Sequence, residues 1–446
     1  MQEIVVVGAG VAGLTAGYLL SQKGYRVVVL EKEDRVGGLA RSFYYDDFIF
    51  DIGPHRFHTD DKEVLGFIEE ILGENKIVLP RSSGVWMFGK YHDWPLNWKV
   101  LFKLPLGVML RTVPDLFSRK TQTGSSFEDY IMSRYGRTLY DVFFKPYTEK
   151  FLKLPPHKVH NNWAESGIDR AVIDKKVQMG SLFEVVKTAL LPTPVKTIFL
   201  YPSDGGIDMF SKKLASLIIN NGGEVLLNTV VDSIECEGST IKAVCYRGGR
   251  IQPKAIIWTA PLTVINGLLK LPPPDISYLS IILYNIEVRG ASRTKYQWCY
   301  YGQNDTIINR ISVPVLFSDR TAPQGYTGIC AEVTCMEGDQ VWENPDRLTD
   351  RVVDDLIAVR LIKDKRDIER VHIEKILNTY PVYDIAYPQK LAKVMEGLAP
   401  FKELMLLGRT GTFWYNNMDH SIRMALDLIK ELLDASPQRQ ISSLLK

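Results

Sequence analysis

The 446-residue chain is 46% hydrophobic and balances 54 basic against 52 acidic residues, for a net charge of +2. That is enough apolar material for one large or two interlocked cores, and the balanced charge, with no basic stripe, argues against nucleic acid as the main partner. Five scattered cysteines (Cys236, Cys245, Cys299, Cys330, Cys335) and seven histidines fit neither a disulfide framework nor a zinc pattern, so no metal is expected.

In chain order, the apolar run Glu3–Val7 suits a strand buried on both faces of a parallel sheet. It leads into Gly8-Ala9-Gly10-Val11-Ala12-Gly13, a G-x-G-x-x-G turn. There Gly8 permits the tight turn, Gly10 lets the amides of Val11 and Ala12 approach a pyrophosphate, and Gly13 brings the next helix close to the sheet. That helix is predicted over residues 14–23 and stops at Gly24. The second strand, Arg26–Leu30, ends at Glu31, beside Lys32, where a carboxylate can accept hydrogen bonds from a ribose. Strand, glycines, helix, strand and acid fall in register, which a ligand-free glycine turn does not require.

The next segment, Arg35-Val36-Gly37-Gly38-Leu39-Ala40-Arg41-Ser42, resembles the second glycine motif of the flavoprotein superfamily that holds amine oxidases, protoporphyrinogen oxidases, phytoene desaturases and UDP-galactopyranose mutases. The resemblance implies FAD as cofactor. The backbone of Gly37, Gly38 and Leu39 would then pass along the pyrophosphate and beneath the flavin, with Arg35 and Arg41 at phosphate. A hairpin predicted over 43–50 leads to Asp51-Ile52-Gly53-Pro54-His55. In the superfamily this segment returns to the flavin, so Gly53, Pro54 and His55 are expected there, and the histidine resembles that of the mutases. His55 would hydrogen-bond flavin or substrate, and a loop histidine capping a helix is an equal alternative.

Residues 60–73 read as a helix, and residues 81–199 as an inserted, mostly helical lobe rich in aromatics. Within it, residues 98–120 mix apolar and basic side chains, a pattern of core helices more often than of membrane surfaces, and Pro105 and Pro114 interrupt it. The segments 90–96 and 144–151 resemble the lobe of the mutase-like branch.

A helix is predicted to start near Gly205-Gly206, followed by a strand over 224–231 whose end, Val230 or Val231, would contact the adenine by its backbone as in the superfamily. The buried strand 255–258 ends in Thr259-Ala260-Pro261, a turn commonly found beside FAD in that superfamily. Strands over 279–288, 298–301, 307–313 and 327–335 suggest a sheet walling the substrate, with Cys330 and Cys335 as buried apolar residues. Arg310 resembles a strand arginine of eukaryotic-type galactopyranose mutases that lies by flavin and diphosphate, a task its planar, permanently charged group suits. A solvent-facing strand arginine is as common in general. Tyr301 and Tyr383 are weaker substrate candidates. Finally Gly408-Arg409-Thr410-Gly411 forms a phosphate-compatible turn, and Asn417, Met418 and Asp419 open a helix whose amides would face the flavin's pyrimidine edge.

The expected fold is α/β: a discontinuous Rossmann-type FAD-binding domain (1–80, 200–270, 400–434), the helical lobe (81–199), an antiparallel-sheet substrate domain (271–399) and a polar tail (435–446). The resemblance, nearly chain-long, implies a flavoenzyme of the UDP-galactopyranose mutase-like branch. It would act on a nucleotide sugar through reduced flavin, with His55 and Arg310 as catalytic candidates and NAD(P)H as a candidate reductant. The alternative is an oxidase or dehydrogenase of the amine or protoporphyrinogen oxidase type, and a flavin-bound scaffold is a third reading. With no signal peptide and no apolar run of roughly eighteen residues, a cytoplasmic protein without an integral membrane segment is expected. The oligomeric state is open.

Overall fold

A computed structural model of the chain describes residues 3–94, 104–117, 124–164 and 198–434. Residues 98–103 and 118–120 of the basic stretch, and all of the tail from Ala435, lie outside these residues. Five short strands form a fully parallel sheet in the order Leu404–Leu406, Ala255–Trp258, Glu3–Val7, Arg26–Leu30, Glu224–Leu226. The sheet thus draws on the start, middle and end of the chain. Its strands are almost wholly apolar because helices cover it, and Val5, Val6, Val27, Val29, Ile256 and Ile257 are buried. The helices Val11–Gln22, Met209–Asn220 and Met418–Asp434 share one core, through Leu14, Leu20, Phe210, Leu214, Ile422 and Ile429.

The strand expected over 224–231 stops at Leu226. Asn228 takes a left-handed φ of 52°, and its N–H bonds to the Glu33 carbonyl. Asparagine tolerates that conformation because its short polar side chain bonds locally. The chain then enters a separate three-stranded meander, Val231–Glu237, Thr240–Tyr246 and Gly249–Ile251.

The second large sheet has seven strands in the order Ile368–Pro381, Tyr278–Arg289, Tyr326–Cys335, Arg310–Ser312, Trp298–Tyr301, Ser83–Met87, Lys90–Asp93. All its pairings are antiparallel except that of Trp298–Tyr301 with Ser83–Met87. Two of its members depart from expectation. The hairpin 83–93, assigned to the helical lobe, belongs to this sheet, and it turns at Phe88 (φ 53°) and Gly89 (φ 71°). Two successive left-handed residues suit a tight hairpin, but phenylalanine is not a residue that advertises one. The edge strand Ile368–Pro381 is absent from the expected strands, because its charged residues hide the alternation. The helices Leu106–Phe117, Phe127–Leu139 and Lys145–Leu152 lie over the sheet, and Phe143, Phe151 and Trp163 join Tyr380 and Phe413 in one core. Cys330 and Cys335 are buried, and no helix among the described residues is long and apolar enough to cross a membrane.

Candidate active site

A cleft of about 410 Å³ runs from the carboxyl ends of the parallel strands to the end of the edge strand at Lys375–Asn378, the region where open α/β sheets receive ligands. Gly8, Gly10, Val11, Ala12, Glu31, Lys32, Gly37, Gly38, Leu39 and Arg41 line one stretch of it. His55, Val230, Val231, Thr259, Ala260, Gly408, Arg409, Asn417 and Met418 line the rest.

Backbone shapes the first stretch. Gly8 has φ 104°, donates to the Leu30 carbonyl at 2.8 Å, and any Cβ there would collide with Thr259 Oγ1. The two glycine loops touch: Gly37 N–H donates to the Ala9 carbonyl at 2.8 Å, and a Cβ on Gly38 (φ 56°) would sit 3.0 Å from Gly10 Cα. Side chains would fill this cradle, so only glycine leaves it open. Glu31 lies buried beneath, accepting from Ala9 N–H at 2.7 Å and Glu33 N–H at 3.0 Å. Arg41 Nε is sealed from solvent with no hydrogen-bond partner among the described residues. A glycine cradle, a buried acid and an unsatisfied guanidinium together fit a dinucleotide.

Five of the expected cofactor residues stand off the cleft. Gly13 packs instead, since a Cβ there would collide with the Gly8 carbonyl. Arg35 is exposed, pairing with Asp34 at 2.7 Å and covering the Phe43 ring. Asp419 turns to its neighbour His420 at 3.0 Å. Gly53, with Pro54 after it, lies beneath His55, where a Cβ would collide with Glu332 and approach Arg310 to 3.0 Å.

At this second end side chains dominate. The imidazole of His55 is held down to about 3 by burial first, then by the charges of Arg409, Arg310 and Arg56, so it is neutral. Arg310 forms a bidentate pair with the fully buried Glu332 (Nε to Oε1 2.6 Å, Nη2 to Oε2 2.8 Å) and reaches the Tyr380 hydroxyl at 3.0 Å. Its charge is therefore already matched, and it anchors Tyr380. Arg409 spends its donors on the carbonyls of Asn416 and Thr379 and stacks on Tyr380 and Tyr415.

Both tyrosine candidates are displaced. Tyr301 is fully buried on the far face of the sheet, bonded to the Tyr91 hydroxyl at 3.0 Å. Successive strand residues face opposite ways, so its neighbour Tyr300 points to the site, near Tyr147, Arg56 and Arg310. Tyr383 is a strut: it stacks on Tyr387, donates to the Phe413 carbonyl at 3.2 Å and accepts from Tyr415 N–H at 2.8 Å. The site group unnoticed in the sequence comprises Arg56, Tyr147, Tyr300, Tyr380 and Tyr415. Tyr380 and Tyr415 are 5.3 Å apart, and Trp163 stacks on Tyr415 at 5.0 Å. Strand parity could have found Tyr300, and Tyr415 lies two residues before Asn417, which was already expected at the flavin.

A glycine-cradled dinucleotide cleft that opens onto a second, antiparallel sheet defines a FAD-dependent flavoenzyme. The Flavin containing amine oxidoreductase family matches residues 11–375, and the chain belongs to that family. Among known proteins it is similar to a 4,4'-diapophytoene desaturase (4,4'-diapolycopene-forming) of Methylomonas sp, 24% identical over 61% of this chain and 58% of the desaturase. It is also similar to a probable UDP-galactopyranose mutase of Klebsiella pneumoniae, 27% identical over 35% of this chain and 43% of the mutase. The alignments thus span about half the length of these relatives. The crystal structure of a reduced UDP-galactopyranose mutase superposes with a TM-score of 0.83 at 21% identity, covering 97% of this chain and 94% of that one, and so shares the fold.

Proposed function

We infer that the protein rearranges a nucleotide sugar at reduced FAD with no net redox change, as a UDP-galactopyranose mutase-like enzyme. The observation that carries this reading is the charge around His55. Three guanidiniums, Arg56, Arg310 and Arg409, press on the imidazole, and among the described residues the one carboxylate paired with any of them, Glu332, is spent on Arg310. Such a field attracts a diphosphate and repels an ammonium substrate. Tyrosine hydroxyls add neutral donors without charge.

In this reading Gly8, Gly10, Gly37, Gly38, Val11 and Ala12 offer backbone to the pyrophosphate of FAD, Glu31 the ribose, Arg41 a phosphate, and Val230, Val231, Thr259, Ala260, Gly408, Asn417 and Met418 the rings. Bound and reduced, FAD would supply nucleophilic chemistry toward the anomeric carbon of the sugar. Neutral His55 orients flavin or sugar by hydrogen bonding and carries no charge of its own. The Arg310–Glu332 pair holds Tyr380 in place, and the aromatic wall of Tyr147, Trp163, Tyr300 and Tyr415 excludes water, which keeps the electrostatic field strong.

The second reading, hydride transfer from substrate to flavin, draws support from the desaturase similarity and from the aromatic lobe. Chromatography of UDP-galactofuranose with purified protein separates the two. Conversion to the pyranose form only after chemical reduction or NAD(P)H supports the mutase reading. No conversion, with flavin that bleaches on adding an amine or porphyrinogen, replaces it with an oxidase.

A further inference from the structure

The geometry points to Arg56, and not to Arg310, as the residue that grips the anionic group of the substrate, through a guanidinium laid over the adjoining rings of Trp298 and Phe199. The inference rests on the nucleotide-sugar reading for the identity of that anion, a diphosphate. Arg56 follows His55 in the loop beneath the cleft, and its Nη1 donates to the Pro54 carbonyl at 3.0 Å, which ties the side chain to the loop that bears the imidazole. Its guanidinium lies 4.6 Å from the Trp298 ring centroid and 5.0 Å from that of Phe199. Stacking of this kind fixes the plane of the group while leaving its in-plane donors to a ligand.

One of those donors has nothing to bind. Arg56 Nε is sealed from solvent and has no hydrogen-bond partner among the described residues, and the indole N–H of Trp298 in the same layer is likewise unmet. A buried charged donor left unsatisfied is costly, and such groups in native proteins are kept where a ligand completes them. The largest electrical influences on Arg56 come from Tyr300, Arg81, Arg310 and Tyr415, and no ion pair joins it to a carboxylate among the described residues. Arg310 differs in this respect, because Glu332 occupies its fork. A planar guanidinium with an unmet Nε–H, within electrical reach of the phenols of Tyr300 and Tyr415, matches phosphate oxygens by charge-assisted hydrogen bonds.

The test uses the FAD-loaded full chain and titrates UDP, uridine and inorganic diphosphate, followed by flavin and tryptophan fluorescence, in the native protein, Arg56→Met and Arg56→Lys. Methionine keeps the bulk against the two rings. The expected result is a loss of UDP affinity of at least tenfold in Arg56→Met with an unchanged flavin spectrum and unchanged uridine affinity, and a smaller loss in Arg56→Lys, which keeps charge but not Nε. Native UDP affinity in either variant overturns the assignment and leaves the nucleotide-sugar reading standing. If the native protein ignores UDP but binds inorganic diphosphate, and Arg56→Met abolishes that binding, Arg56 is the anion site and the nucleotide reading fails. Should Arg56→Met not fold, the weakening in Arg56→Lys carries the decision. Absence of binding of UDP and diphosphate alike by the native protein overturns both.

Discussion

At the end of the cleft near Gly8 the wall is main chain, whereas at the end near His55 it is side chain. Gly8, Gly10, Gly37 and Gly38 act by having nothing beyond Cα: Gly10 and Gly38 face each other's backbone, Gly37 faces its own loop and Gly8 faces Thr259. Arg56, Tyr147, Tyr300, Arg310, Tyr380 and Tyr415 come from separate segments, and each matters according to which way it points and what it already binds. A site built from backbone tolerates no added atom, while one built from side chains fails or survives with each pairing.

The sharpest break falls on the backbone end. Gly8→Val forces a branched side chain into φ 104° against Thr259, a strain of about 1–3 kcal/mol before the collision is counted. The purified variant is expected to be colourless, and full flavin occupancy in its absorption spectrum would contradict the cradle. Next comes Glu332→Gln, which leaves Arg310 buried and unpaired at a cost of about 3–5 kcal/mol. Thermal unfolding should register the loss, and Arg310→Met combined with Glu332→Met should recover most of it. A double variant as unstable as the single one would mean that the pair is not the source of the effect.

Strand parity is tested by a matched pair. Tyr300→Phe should weaken UDP binding by about tenfold, the worth of one hydrogen bond to a charged group. Tyr301→Phe should leave UDP binding unchanged and lower stability by about 1 kcal/mol through loss of the bond to Tyr91. The reverse pattern would put Tyr301 back at the site.

The smallest effect is on pH. Folded His55, held to about 3, stays neutral while the unfolded chain takes up a proton below about 6.5, so its contribution to stability declines as pH falls through that window. Asp51, raised to about 6 mainly by burial, has the opposite sign. The folded state keeps a proton that the unfolded state loses above 3.8, and this contribution is lost as pH rises through 6. Denaturant midpoints between pH 3 and 7 should flatten at the acid side in His55→Gln and shift oppositely in Asp51→Asn. Identical profiles for all three proteins would remove both groups from the balance.

The same contrast explains what could be read from the chain. The dinucleotide end was legible because local sequence dictates it: glycines at fixed spacing force the turns, and a β-branched run before them is a buried strand. The antiparallel sheet was legible through four of its strands but not through 83–93, where Phe88 occupies a turn position that ordinarily calls for glycine or asparagine. Arg310 was found, but its role was not, because Glu332 lies 22 residues away and only the register of two strands brings them together. Tyr301 is the candidate by sequence and Tyr300 the residue at the site, since a four-residue strand does not announce which face is inward. Arg56 carried no signal at all: its meaning depends on Trp298 and Phe199, both distant in sequence.

The most direct test of the central inference is an anaerobic turnover count. The protein is reduced once, the excess reductant removed, and UDP-galactofuranose added while flavin absorbance and product are followed together. The redox-neutral account predicts many molecules of UDP-galactopyranose for each flavin, with the absorbance remaining that of the reduced form at the end. One turnover or none per flavin, or reoxidation in step with substrate consumption, would contradict it.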